Sequence, residues 1–143
     1  MNTKQISVFL ENKKGRLASV SKVLRDNKLN IRALTIADTA EFGIVRMILS
    51  EPDRAYQVLK KEGFTVKENT IVAVEIDDRE GLFYDLTKLC DDNDLNIEYT
   101  YSFVEQSSNK AILFLRFDDA DAATKVLQDK GYEILSDEQV RKI

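Results

Sequence analysis

The chain carries one pattern of residues twice. With Gly81 laid over Gly15, Ile6, Val8 and Leu10 fall on Val72, Val74 and Ile76, and the stripe Leu17, Val20, Val23, Leu24 falls on Phe83, Leu86, Leu89, Cys90. Asn27, Leu29, Asn30 and Ile31 fall on Asn93, Leu95, Asn96 and Ile97. Two halves with one pattern must take one fold twice, and their function is read from a module and from the interface between two. The repeat divides the 143 residues into a module over 1–70 and a second over 71–143, the latter closing on a short helical turn. At about 70 residues each half is marginal alone and is expected to share buried surface with its neighbour.

Each half reads as strand, helix, strand, strand, helix, strand. Ile6, Val8 and Leu10 alternate with Ser7 and Phe9, the period of a strand with one face on a core. Gly15 permits a sharp turn into a helix whose apolar stripe recurs every three to four residues, and Asn27 is expected to end it in a left-handed conformation. A strand over 31–37, a hairpin loop over 38–41 and a strand over 43–49 follow. Pro52 opens a second helix, Gly63 ends it, and 64–69 forms a closing strand. In the second half the alignment slips by two residues after the hairpin at 105–109, where an insertion belongs. Only Asn69 and Thr70 stand outside the pattern, so no flexible linker separates the modules and one fixed relation is expected. The tail 136–143 reads as a helical turn capped by Ser136.

This order predicts an α+β protein of two tandem ferredoxin-like βαββαβ modules, each an antiparallel sheet with two helices on one face. The other face would carry Phe9, Ile44, Ile48, Ile112 and Phe114, more apolar than a wetted face requires. Contact with another sheet or subunit explains it; scattered surface hydrophobes are the alternative.

Charge narrows the function. With 21 Lys and Arg against 25 Asp and Glu, the net charge is −4, which disfavours nucleic acid and an anionic membrane. Tyr99, Tyr101 and Phe103 alternate as base-stacking platforms do, but without basic residues beside them core or interface packing is the better account. There is no histidine, so no histidine-based triad or metal centre exists, and the acidic run Asp91–Asp94 lacks the spacing of a calcium loop. The single cysteine, Cys90, sits on an apolar stripe, where burial makes it a poor nucleophile. No apolar run reaches the roughly 18 residues of a spanning helix, and a cytoplasmic protein without membrane or cofactor is expected.

The segment Val8-Phe9-Leu10-Glu11-Asn12-Lys13-Lys14-Gly15-Arg16-Leu17, followed by Val20, Leu24 and Leu29-Asn30-Ile31, resembles the opening half of an ACT domain. Val74-Glu75-Ile76-Asp77-Asp78-Arg79-Glu80-Gly81-Leu82-Phe83, then Leu86, Cys90 and Leu95-Asn96-Ile97, resembles it again. The resemblance covers nearly the whole chain as two tandem copies. It implies a non-catalytic, free-standing regulatory sensor that binds a small molecule, most often a free amino acid, at module or subunit interfaces; a homodimer is expected separately, since symmetric pairing is the default. The family's loop usually reads Asp, any residue, Pro, Gly, any residue, Leu. Asn12 and Asp78 take the place of the acid, Gly15 and Gly81 keep the glycine, and Lys14 and Glu80 replace the proline, which loosens the turn.

Physical chemistry gives these loops a use. A glycine between a strand end and a helix start exposes unpaired amides and the positive end of the helix dipole, a seat for a carboxylate. Lys13, Lys14, Arg16 and Leu17 in one copy, and Arg79, Glu80, Leu82 and Phe83 in the other, complete the candidate loops. Asn12 and Asp78 are candidate partners for an ammonium, or merely hold their own turns. Asn30-Ile31 and Asn96-Ile97 are implied by the resemblance to line the same interface; turn formation is the alternative for both asparagines. Leu17 and Phe83 begin the buried stripe and are expected in the core before the pocket wall. Occupancy would be signalled through altered assembly to an unidentified effector protein or enzyme. Two rivals remain: a scaffold that kept the fold and lost the ligand, and a small hydrolase of acylphosphatase type, against which Arg16 and Arg79 stand at unequal positions.

Overall fold

The computed structural model describes residues 2–11, 13–38, 41–104 and 109–143. In chain order they form β1 (Thr3–Glu11), α1 (Arg16–Asp26), β2 (Ile31–Asp38), β3 (Phe42–Leu49), α2 (Pro52–Lys61), β4 (Thr65–Asp77), α3 (Leu82–Asp92), β5 (Ile97–Val104), β6 (Lys110–Phe117), α4 (Ala120–Asp129), β7 (Glu133–Leu135) and α5 (Asp137–Arg141). The chain divides into two compact units. One, the N-terminal unit, is Lys4–Asn69 with Glu138–Ile143; the other, the C-terminal unit, is Thr70–Asp137 with the first residues up to Thr3.

In the N-terminal unit the strand order is β2-β3-β1-β4, with β1 antiparallel to β3 through Val8 opposite Val45 and β2 antiparallel to β3 through Ile36 opposite Val45. The alternation read from the sequence places Ile6, Val8 and Leu10 of β1 and Val45, Met47 and Leu49 of β3 on one face. There they pack on Val20 and Leu24 of α1 and Ala55 and Leu59 of α2. Pro52 stands at the first turn of α2 as expected, where a missing N–H costs nothing. The C-terminal unit repeats the arrangement as β5-β6-β4-β7, its core built from Val72, Val74, Leu113, Leu115 and Phe117 against Leu86, Cys90, Ala123 and Leu127. Each unit is an α+β, ferredoxin-like module.

Three local readings are corrected. Asn69 and Thr70 are not outside the pattern: β4 runs from Thr65 to Asp77 without interruption, since no Gly or Pro stands there to break it. Asn27 and Asn93 are not left-handed, having φ of −101° and −109°. The next residues, Lys28 and Asp94, take the positive φ, at 56° and 55°. Each Asn instead donates its side-chain amide back to the helix, to the carbonyls of Val23 at 2.8 Å and Leu89 at 2.9 Å. Each carbonyl also accepts the backbone amide of the same Asn, at 3.2 Å, so the side chain adds a second bond that closes the last turn. Finally, β2 and β5 each carry a bulge, between Ile31 and Ala33 and between Ile97 and Tyr99. A bulge inverts the alternation beyond it, so Leu34 and Ile36, and Thr100 and Ser102, share the helix side with Ile31 and Ile97.

On the opposite face Ile48, Ile112 and Phe114 are buried, Ile44 is half-buried and Phe9 is exposed. Tyr101 stacks on Phe114 with ring centroids 5.1 Å apart. Residues 39–40 and 105–108 of the two expected hairpins lie outside the described residues. Among the described residues, no helix is long and apolar enough to cross a membrane.

Candidate functional site

Both candidate loops join the first strand of a module to its first helix, and both are built on one backbone device. Gly15 stands immediately before α1 with φ 89° and ψ −9°, and Gly81 immediately before α3 with φ 85° and ψ −15°. This left-handed conformation is one that residues with a Cβ enter at a cost. It turns the chain so that the glycine carbonyl opens the helix, accepting from the Ser19 amide at 3.0 Å in one copy and the Asp85 amide at 3.0 Å in the other. Among the described residues, no side chain caps either helix.

The amides of the turns divide into two sets. Lys13 donates to the Glu11 carbonyl at 2.7 Å and Arg16 to the Lys13 carbonyl at 3.3 Å; Asp78 donates to the Asn109 carbonyl at 2.6 Å and Arg79 to the Asp77 carbonyl at 3.1 Å. Among the described residues, the amides of Leu17 and Ala18, and of Gly81, Leu82, Phe83 and Tyr84, face no acceptor. Helix starts of this kind favour an anion.

A groove lies beside each turn, on the helix side of the sheet. In the N-terminal unit its volume is about 180 Å³, with Gly43 and Val45 as floor, Leu17 and Ile36 as walls and Lys13 and Arg16 at the rim. In the C-terminal unit it is about 370 Å³, with Ala111 and Leu113 as floor, Phe83, Thr100 and Ser102 as walls and Asp78 and Arg79 at the rim. Leu17 and Phe83, expected in the core, are 45% and 49% exposed and serve as groove walls. The buried stripe starts one turn later, at Val20 and Leu86. Ile36, Thr100 and Ser102 were absent from the sequence reading, because only the bulges bring them to this face.

The other candidates take different places. Lys14, Gly15, Glu80 and Gly81 are exposed in the turns themselves, while Leu82 borders a separate cavity beside Lys110 and Tyr132. Asn12 lies outside the described residues. Asn30 and Ile31 sit beyond the other end of α1, whose 11 residues separate them from the Gly15 turn by about 16 Å at the usual helical rise. Within a unit, then, the Asn-Ile pairs and the glycine turns do not share a site. Asn30 ties the loop to the end of β3, its amide donating to Ser50 Oγ at 3.1 Å and its carbonyl accepting from the Ser50 amide at 2.9 Å. Ile31 and Ile97 pack against the two cores.

Charge separates the copies. The N-terminal turn holds Glu11, Lys13, Lys14 and Arg16, three cations to one acid; the C-terminal turn holds Asp77, Asp78, Arg79 and Glu80, three acids to one cation. Lys13 bonds Glu11 at 2.8 Å, and this contact, aided by Arg16, holds the Glu11 carboxyl below its usual range. Asp77 is likewise lowered by Lys110, 2.6 Å away.

Comparison with other proteins follows the same lines. A sequence profile for an ACT domain pair matches residues 1–143. A crystal structure of a protein from Bacteroides thetaiotaomicron is similar with a TM-score of 0.94 at 36% identity, covering 100% of this chain and 98% of that one. The ligand-free regulatory subunit of aspartate kinase from Thermus thermophilus is similar with a TM-score of 0.64 at 14% identity, over 92% and 94% of the two chains. Aspartokinase III of E. coli in complex with lysine and aspartate gives 0.54 at 18% identity, over 90% of this chain and 31% of that one. At such identities the last two speak for the fold alone. No curated protein matches significantly. A doubled ferredoxin-like module, with a left-handed glycine opening the first helix of each copy and a profile match from end to end, places this chain in the ACT domain pair family, a regulatory type of module.

Proposed function

We propose that this protein is a regulatory receptor for a free amino acid, working by binding rather than catalysis. The supporting observation is the pair of left-handed glycines, each followed by helix-start amides that face no acceptor among the described residues. The ligand's carboxylate sits on such amides, and its side chain lies in the groove alongside. The N-terminal turn suits the carboxylate better, because Lys13, Lys14 and Arg16 add positive potential there. In the C-terminal turn Asp78 is the partner for an ammonium, and the acids around it weaken the anion seat. The N-terminal and C-terminal units act as the two modules, and occupancy is signalled by a change in self-association that an effector protein reads.

Thermal unfolding against the free amino acids one at a time tests this. A specific ligand at about 100 times its dissociation constant adds about 2.7 kcal/mol of stability, and sedimentation with and without it reads the assembly. If no amino acid shifts the transition, the receptor reading fails and a scaffold with a duplicated fold takes its place.

A further inference from the structure

The N-terminal unit has a second and larger cavity, about 530 Å³, where the turn after α2 meets the end of β1. It falls within the roughly 300–1,000 Å³ usual for small-molecule sites. Phe9, Phe42 and Phe64 line it, and Arg16 stands at its edge. Phe9 is 38% and Phe42 54% exposed, so two large aromatic surfaces are presented to the cavity and to water.

The other module supplies a control within the same chain. Its corresponding cavity is about 240 Å³ and is lined at corresponding positions, but Glu75 stands for Phe9, Lys110 for Phe42 and Leu82 for Arg16. Tyr132 stands for Phe64, so the same backbone folds with one of the three aromatics and without Phe9, Phe42 and the arginine. A requirement of the fold would act on both copies, as the aromatic at Phe64 and Tyr132 does; Phe9, Phe42 and Arg16 are found in a single copy.

We infer that the cavity of Phe9, Phe42 and Phe64 binds an aromatic ring bearing a carboxylate, with the ring against the phenyl groups and the carboxylate on the Arg16 guanidinium. Aromatic rings pack favourably edge-to-face or offset on one another, and a guanidinium matches a carboxylate with two parallel donors. Among the described residues, the acid nearest to Arg16 is Glu11 at 3.9 Å, beyond hydrogen-bond length, and Glu11 is engaged by Lys13 at 2.8 Å. The donors of Arg16 therefore remain for a ligand, and Lys13 and Lys14 add positive potential. The ligand is either an aromatic amino acid or an aromatic acid with no amine. Glu11 and Arg16 also border the groove beside Ile36, whereas Phe9 and Phe42 do not, which separates the two sites experimentally.

Isothermal titration of the full chain with phenylacetate, phenylalanine and phenethylamine tests the inference. Phenylacetate or phenylalanine binds, and the pair tells the acid from the amino acid; phenethylamine, lacking the carboxylate, does not. Phe42→Lys, which installs the residue of the other module at an exposed position, weakens binding at least tenfold, as does Phe9→Glu, while Leu17→Ala in the neighbouring groove leaves it unchanged. Circular dichroism confirms that each variant is folded. Absence of binding by both ring acids overturns the inference. Binding that survives Phe42→Lys and Phe9→Glu but is lost in Leu17→Ala also overturns it, while supporting the amino-acid receptor at the Gly15 turn.

Discussion

Replacing Gly15 with alanine isolates the energy held in the turn. The glycine has φ 89°, and a Cβ built there meets nothing within 4 Å. The cost of Gly15→Ala is therefore torsional and not steric, about 1–2 kcal/mol for an L-residue held in the left-handed region. Gly81, at φ 85° and equally open, should lose the same amount. Gly43 in β3 is the control: its surroundings are also open and its φ is not positive, so alanine there should be neutral or stabilise by roughly 0.5–1 kcal/mol. Urea unfolding followed by circular dichroism reads these differences, and heating should show a fall of roughly 2–8 °C for either turn variant. Asparagine at position 15 should recover part of the loss, since its side chain tolerates this conformation. Should Gly15→Ala equal the wild type, the turn rearranges freely and its amides are not held in place by the fold; a loss above about 4 kcal/mol would mean that contacts, not torsion, set the cost.

Two further outcomes follow from charge and burial. Cys90 is 1% exposed and burial pushes its thiol pKa up, so a thiol reagent should label the native protein far more slowly than the urea-unfolded chain; equal rates would contradict the assigned core. Lys110 lowers the Asp77 pKa, and a lowered carboxyl contributes stability above its unfolded value, near 3.8, which is lost as pH falls through the folded value. Lys110→Met should thus be slightly less stable than wild type at neutral pH and equal to it at about pH 2, the effect being small because both side chains are half exposed; a difference that persists in acid would refute the pairing.

The elements were legible because each carries its own punctuation. Ile6, Val8 and Leu10 alternate, Pro52 opens α2 and Gly63 follows its end with φ 92°. What could not be read are features set by neighbours in space. The bulges of β2 and β5 leave no mark in composition, yet they decide that Ile36 and Ser102 reach the grooves. The exposure of Leu17 and Phe83 depends on the open groove beside each first helical turn, which periodicity along the helix does not report. The larger cavity was missed for a similar reason: Phe9, Phe42 and Phe64 lie far apart in the chain and meet only through the β1–β3 register and the turn after α2.

The way the chain ends are shared out has a bearing on its synthesis. Glu138–Ile143 belong to the N-terminal unit, and Val140 among them is wholly buried. A ribosome makes most of this unit first but delivers Val140 only after the whole of the other unit. The usual order, in which the leading domain matures while the trailing one is still being made, is altered here: the first unit lacks its buried Val140 until the second has left the ribosome's catalytic centre.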